Sequence, residues 1–209
     1  MKQIALIIAA LLITGCQGVK AVKETPFIIQ QQAFYWSGEQ RNYLTDTGYA
    51  LAVVKEGKRP PSQWLGRPDG EEGEWLSRIA EDNNLVILKH HEEHESIEYA
   101  MPVVRVDDGD PMVMLPQISI RFSKDIPERD VPFIASVFGL KIKRKQFRPA
   151  DDNEDIIIGI QNGYILELKG EVNYAQLLLA AHELYLGGTS SGKVHYCHID
   201  FIPMRRHAR

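Results

Sequence analysis

The densest chemistry in the chain is His90-His91-Glu92-Glu93-His94-Glu95. Its H-x-x-E-H spacing is that of an inverted zinc-peptidase motif. On a helix, His90 and His94 would share one face as zinc ligands, with Glu93 beside them as a base. The segment lies between two strand candidates, carries no apolar stripe and has no acidic helix downstream to supply a third ligand. A solvated loop with three histidines is therefore the plainer reading, and a zinc metalloenzyme built on His90, Glu93 and His94 stays open as the rival. A second cluster is His195, Cys197 and His198. In a strand, His195 and Cys197 share a face while His198 points the other way. Two ligands fall short of the four of a structural zinc site, so Cys197 reads as a small packing residue. Ser190-Ser191-Gly192 reads as a turn rather than a nucleophile elbow. His182 falls at the edge of a helical stripe. The acidic run 151–155 lacks the spacing of an EF-hand and reads as a solvated connection. No cofactor is expected.

Composition limits what these residues can serve. The chain is 44% hydrophobic and 25% charged over 209 residues, as a globular protein is. With 24 Lys+Arg against 28 Asp+Glu, the net charge is -4, which argues against nucleic acid as a partner. The amino terminus has Lys2, an apolar run over 4–13, and then Leu12-Ile13-Thr14-Gly15-Cys16. The run is too short for a helix to span a bilayer and has the layout of a secretory leader. If Cys16 is consumed there, Cys197 is left without a disulfide partner, and stability must come from a buried core.

The elements that must position the remaining residues follow from periodicity. Residues 17–33 are polar and aperiodic, a tether. Short strands are expected at 34–36 and 41–44, and better ones at 49–55, 85–88 and 97–106. Asp69 and Glu72 form a capping box for a helix over 71–82, with Trp75, Leu76, Ile79 and Ala80 inward. Asp107-Asp108-Gly109-Asp110-Pro111 is a turn and the expected boundary between a module at 34–106 and a second at 112–203. There, Ile118, Ile120 and Phe122 alternate in a strand. Val131, Ile134, Ala135 and Phe138 line a helix ended by Gly139. Strands follow at 140–145 and 163–169. Asn173 caps a helix with Tyr174, Leu177, Leu178, Ala181, Leu184 and Tyr185 in one stripe, stopped by Gly187-Gly188. The last strand is 193–202, ended by Pro203, and 204–209 is a basic tail. The order strand–helix–strand, strand–helix–strand predicts an α+β fold. It is the ferredoxin-like split βαβ, an antiparallel sheet with helices on one face. The likeness of 49–55 to 117–124 allows a second, degenerate copy in tandem.

Leu12-Ile13-Thr14-Gly15-Cys16 resembles the lipobox of bacterial lipoproteins. The resemblance implies cleavage before Cys16 and its lipidation, hence attachment to a membrane of the cell envelope. Gln17 after that cysteine is similar to outer-membrane sorting patterns, facing the periplasm. The segments IEYAMPVVRV, QISIRFSK, FGLKIK, GYILEL and VHYCHIDFIP resemble the N-terminal prodomain region of subtilisin-like serine proteases. That resemblance covers roughly residues 34–203. It implies a sheet that packs on the enzyme and a carboxy-terminal extension that fills its cleft, here Ile202, Pro203, Met204, Arg205 and Arg206. The 209 residues leave no room for the protease domain itself, so the expectation is a binding protein and not an enzyme. It would be a lipid-anchored inhibitor or chaperone of a separate subtilisin-like protease. The alternatives are a structural or interaction lipoprotein with no protease partner, and the zinc enzyme above.

Overall fold

The computed structural model describes residues 32–37, 40–89, 94–150 and 153–204, with side chains described over 42–89, 94–147 and 159–204. The leader, Cys16, the tether as far as residue 31, His90, Glu93, Arg205 and Arg206 lie outside the described residues. The chain is α+β. Its strands are β1 (Gln32–Ser37), β2 (Gln40–Val54), β3 (Val86–Leu88), β4 (Ile97–Val106), β5 (Pro111–Phe122), β6 (Leu140–Ala150), β7 (Asn153–Leu168) and β8 (Val194–Pro203). Its helices are α1 (Gly70–Asp82), α2 (Val131–Val137) and α3 (Tyr174–Ser190). Two compact units form. Their division falls at Leu115/Pro116, inside β5, and not at the 107–111 turn.

In the unit containing residues 42–115 and 201–204, β2 pairs antiparallel with β3 and β4, and β4 with β5. The two short strands expected at 41–44 and 49–55 are one. A register shift between Asp46 and Ala50 absorbs the extra residues as a bulge. The 107–111 turn is a tight hairpin, with Asp107 and Asp108 both left-handed (φ 49° and 59°) and Gly109 N–H donating to Val106 O at 2.9 Å. Leu51, Met101, Val103 and Val113 on one face of the sheet bury against Trp75, Leu76 and Ala80 of α1. On the other face, Ala50, Ala52 and Ala100 are small enough for Trp64 to pack over them. The expected capping box is absent: Asp69 makes no side-chain cap bond. Glu72 instead accepts from Arg105 Nη2 at 2.8 Å, because a neighbouring strand offers it a full positive charge.

In the unit containing residues 116–200, the strand order is β8-β5-β7-β6. Ile118, Ile120 and Phe122 are buried, as are Tyr164, Leu166 and Leu168 at alternate positions of β7. Val131, Ile134 and Ala135 of α2 are buried as expected, and Gly139 (φ +70°) ends that helix. Asn173 caps α3, its Oδ1 accepting from Gln176 N–H at 3.0 Å. The expectation that Gly187-Gly188 stops this helix is wrong. Both are buried within it, and it continues to Ser190. A Cβ on Gly188 would overlap the Val194 side chain, so glycine serves close approach of β8 rather than termination. The acidic run read as a connection lies partly in β7, which begins at Asn153.

Candidate functional site

Alternation along β5 sends Gln117, Ser119 and Arg121 to the face opposite buried Ile118, Ile120 and Phe122. A continuous set of polar contacts covers that face from β6 to β8. Lys141 lies opposite Glu167 in register, its Nζ 3.3 Å from Glu167 Oε1, and Lys143 Nζ is 3.6 Å from Oε2. Lys143 also donates to Gln117 Oε1 at 3.1 Å, and Gln117 Nε2 donates to Asp200 Oδ2 at 2.8 Å. Asp200 Oδ1 stands 3.8 Å from His198 Nδ1. The His198 ring stacks on Tyr196, centroids 5.5 Å apart at 29°. Tyr196 donates its hydroxyl hydrogen to Gln146 Oε1 at 3.2 Å, and Gln146 Nε2 donates to Ser119 Oγ at 3.3 Å. Burial pushes the Tyr196 phenol above its ordinary range, with Arg121 opposing and Asp200 adding to the shift.

This surface carries donors, acceptors, both signs of charge and a stacked aromatic pair. Such a set can hold a partner by hydrogen bonds and charge. Among the described residues, no group of three or more His, Cys, Asp or Glu is placed to hold a metal ion.

The residues singled out by sequence are scattered. Ser96 donates its backbone N–H to His94 Nδ1 at 3.1 Å, and its hydroxyl lies 2.7 Å from the same nitrogen. The His94 ring packs edge-on against Trp64 at 5.2 Å. His94 thus serves a turn leading into β4, with its accepting Nδ1 occupied. Cys197 is buried, which pushes its thiol well up, while His195 is exposed, so the two form no site. Ser190 and Ser191 both donate to Gly187 O as helix-end hydroxyls. His182 is half-buried on α3.

The assignment of Ile202, Pro203 and Met204 to a free cleft-filling tail is corrected. Ile202 and Pro203 belong to β8, and Met204 N–H donates to Pro111 O at 3.1 Å. Ile202 and Met204 pack against the Leu51–Trp75 core because their apolar side chains extend the stripe that α1 covers.

Sequence reasoning passed over Gln117, Gln146 and Tyr196. The signal that could have found the first was already in use, since the residues alternating with Ile118, Ile120 and Phe122 must face the other way. An open cleft of about 520 Å³ also lies beside α1 and β3, lined by Leu65, Arg67, Ser77, Glu81 and Leu85. Arg67 Nη1 there donates to Ser77 Oγ at 2.9 Å, so its guanidinium is partly engaged. The described residues therefore define an α+β protein with a polar sheet face. Compared with known proteins, the chain matches no family model, no curated protein and no solved structure.

Proposed function

We propose that this chain is a lipid-anchored binding protein of the cell envelope, held through Cys16, that docks on a separate subtilisin-like protease by its polar sheet face. The observation that carries the reading is the strand order β8-β5-β7-β6, with α2 between β5 and β6 and α3 between β7 and β8. Numbered along the unit it is 4-1-3-2, the order of a ferredoxin-like split βαβ sheet. The Gln117–Lys143–Glu167–Asp200 contacts offer the partner a preformed hydrogen-bonding surface. Since Ile202 and Met204 are engaged in their own core, only residues beyond Met204 are left to enter a cleft.

A second reading is an interaction lipoprotein with no protease partner, and the engagement of Met204, bonded to Pro111 O and packed on the chain's own core, favours it. Docking and cleft occupation separate experimentally. The full-length chain in detergent is mixed with a subtilisin, and complex formation and peptidase inhibition are read together. The docking reading expects a complex, with inhibition reduced and the complex retained when residues 205–209 are removed. Absence of a complex contradicts docking and leaves the interaction-lipoprotein reading in its place.

A further inference from the structure

An outermost strand presents a row of backbone N–H and C=O groups to any strand that comes beside it, and proteins blunt such edges with lysines or prolines. In the unit containing residues 116–200, the order β8-β5-β7-β6 makes β6 and β8 the two edges. β6 is blunted, with Lys141, Lys143, Arg144 and Lys145 all exposed along it. β8 is not. Val194–Pro203 reads VHYCHIDFIP, with no lysine or arginine and a proline only at its last residue. Among the described residues, β8 pairs with β5 alone.

Alternation fixes which backbone groups face outward. The strand is regular from Cys197 on, with Cys197 and Ile199 buried on one face and His198 and Asp200 half-buried on the other. Met204 N–H donates to Pro111 O of β5, so Asp200 and Ile202 also turn their backbone groups to β5, and Ile199 turns its own to the free edge. Ile199 O is met there by His198 Nδ1 of its own strand, at 3.1 Å. The edge is also complementary to itself. An antiparallel copy of β8 paired about Ile199 sets His198 opposite Asp200 and Asp200 opposite His198, on one face. Pairing about Cys197 or His198 would leave Asp200 opposite no histidine. Within one chain, His198 Nδ1 and Asp200 Oδ1 stand 3.8 Å apart, beyond hydrogen-bond reach, so Oδ1 can accept from the ring of a second copy.

We infer that a second copy of the chain occupies this edge. β8 pairs antiparallel with β8 of its twin about Ile199, and one sheet runs through both copies across a two-fold axis. The inference goes beyond the docking reading and stands without it, because strands joined edge to edge leave the polar face uncovered.

The test counts chains per particle by light scattering of the full-length chain in detergent, with the detergent mass subtracted. Two chains are expected, separating on dilution. One chain at every concentration overturns the inference, and so does an open series of larger particles. His198→Asp sets aspartates opposite each other and should weaken the dimer about tenfold. The swap of His198→Asp together with Asp200→His restores opposite charges across the axis and should recover most of that loss. A swap that dimerises no better than His198→Asp contradicts the pairing about Ile199. A spin label on His195→Cys, at an exposed position, reads the same pairing without altering those two residues. Position 195 falls opposite 203 of the twin, so the two labels should stand about 25–30 Å apart at about 3.3 Å per residue. A distance outside about 20–35 Å places the contact elsewhere and rejects the β8 edge as the interface.

Discussion

Gly188 of α3 and Val194 of β8 approach so closely that a Cβ on the glycine would fall inside the valine side chain. The contact brings the end of α3 down on the first residue of β8, the strand that carries Tyr196, His198 and Asp200 to the opposite face. Gly188→Ala should therefore destabilise the protein by about 1–3 kcal/mol, the usual cost of overpacking. Combined with Val194→Ala, the two changes should cost less than their sum, since the second makes room for the first. Thermal or urea unfolding of the two single variants and the double reads the coupling. Strict additivity would mean that the contact does not constrain the fold.

The two expected helix caps should separate cleanly. Asn173→Ala removes a bond from Asn173 Oδ1 to the Gln176 N–H and should cost about 1 kcal/mol. Asp69→Ala removes no cap bond and should cost less than half of that. Urea midpoints at constant m-value measure both. Equal losses would show that Asp69 caps α1 in solution.

Tyr164 is fully buried between Phe122 and Phe147, and its hydroxyl has no partner among the described residues. Tyr164→Phe should be neutral or stabilising at pH 7, because it removes a phenol buried without compensation. Burial, with Glu128 nearby, pushes the phenol from 10.0 up to about 12. The folded state then holds the proton more tightly than the unfolded one. Stability from this group is intact below pH 10 and is lost as pH rises toward 12, by up to about 3 kcal/mol. Unfolding followed between pH 9 and 12 should show a fall that is smaller in Tyr164→Phe. Parallel curves for the two proteins would contradict the assignment.

Ile202 and Met204 give the most direct check on the carboxy terminus. Packed against the Leu51–Trp75 core, Met204→Ala should cost about 1 kcal/mol and lower Tm. A free tail would tolerate the same change without effect, so an unmoved Tm would contradict the packing of Met204 on that core.

Periodicity made much of this architecture legible. The strand at 97–106 and the stripe of α3 were readable because alternate and 3.6-spaced apolar residues have only one way to reach a core. What escaped was set by contacts outside each element. Glu72 belongs to Arg105, 33 residues away, rather than to its own helix end, and Gly188 answers to Val194 of the next strand rather than to the end of α3. The Asp46–Ala50 bulge joined two expected strands into β2, because Val104 and Pro102 on the partner strand hold both ends in one ladder. The polar face was the least legible part. Gln117, Gln146 and Tyr196 come from β5, β6 and β8, and no local spacing relates them.

The central claim is that the sheet face docks a subtilisin-like protease, and its most direct measurement is a calorimetric titration. The full-length chain in detergent is titrated with a subtilisin inactivated at its serine, beside Lys143→Glu and Tyr196→Ala. The account predicts saturable binding by the unaltered chain, weakened about tenfold in each face variant and unchanged by removal of residues 205–209. Absence of binding, or equal binding by all three proteins, would contradict it.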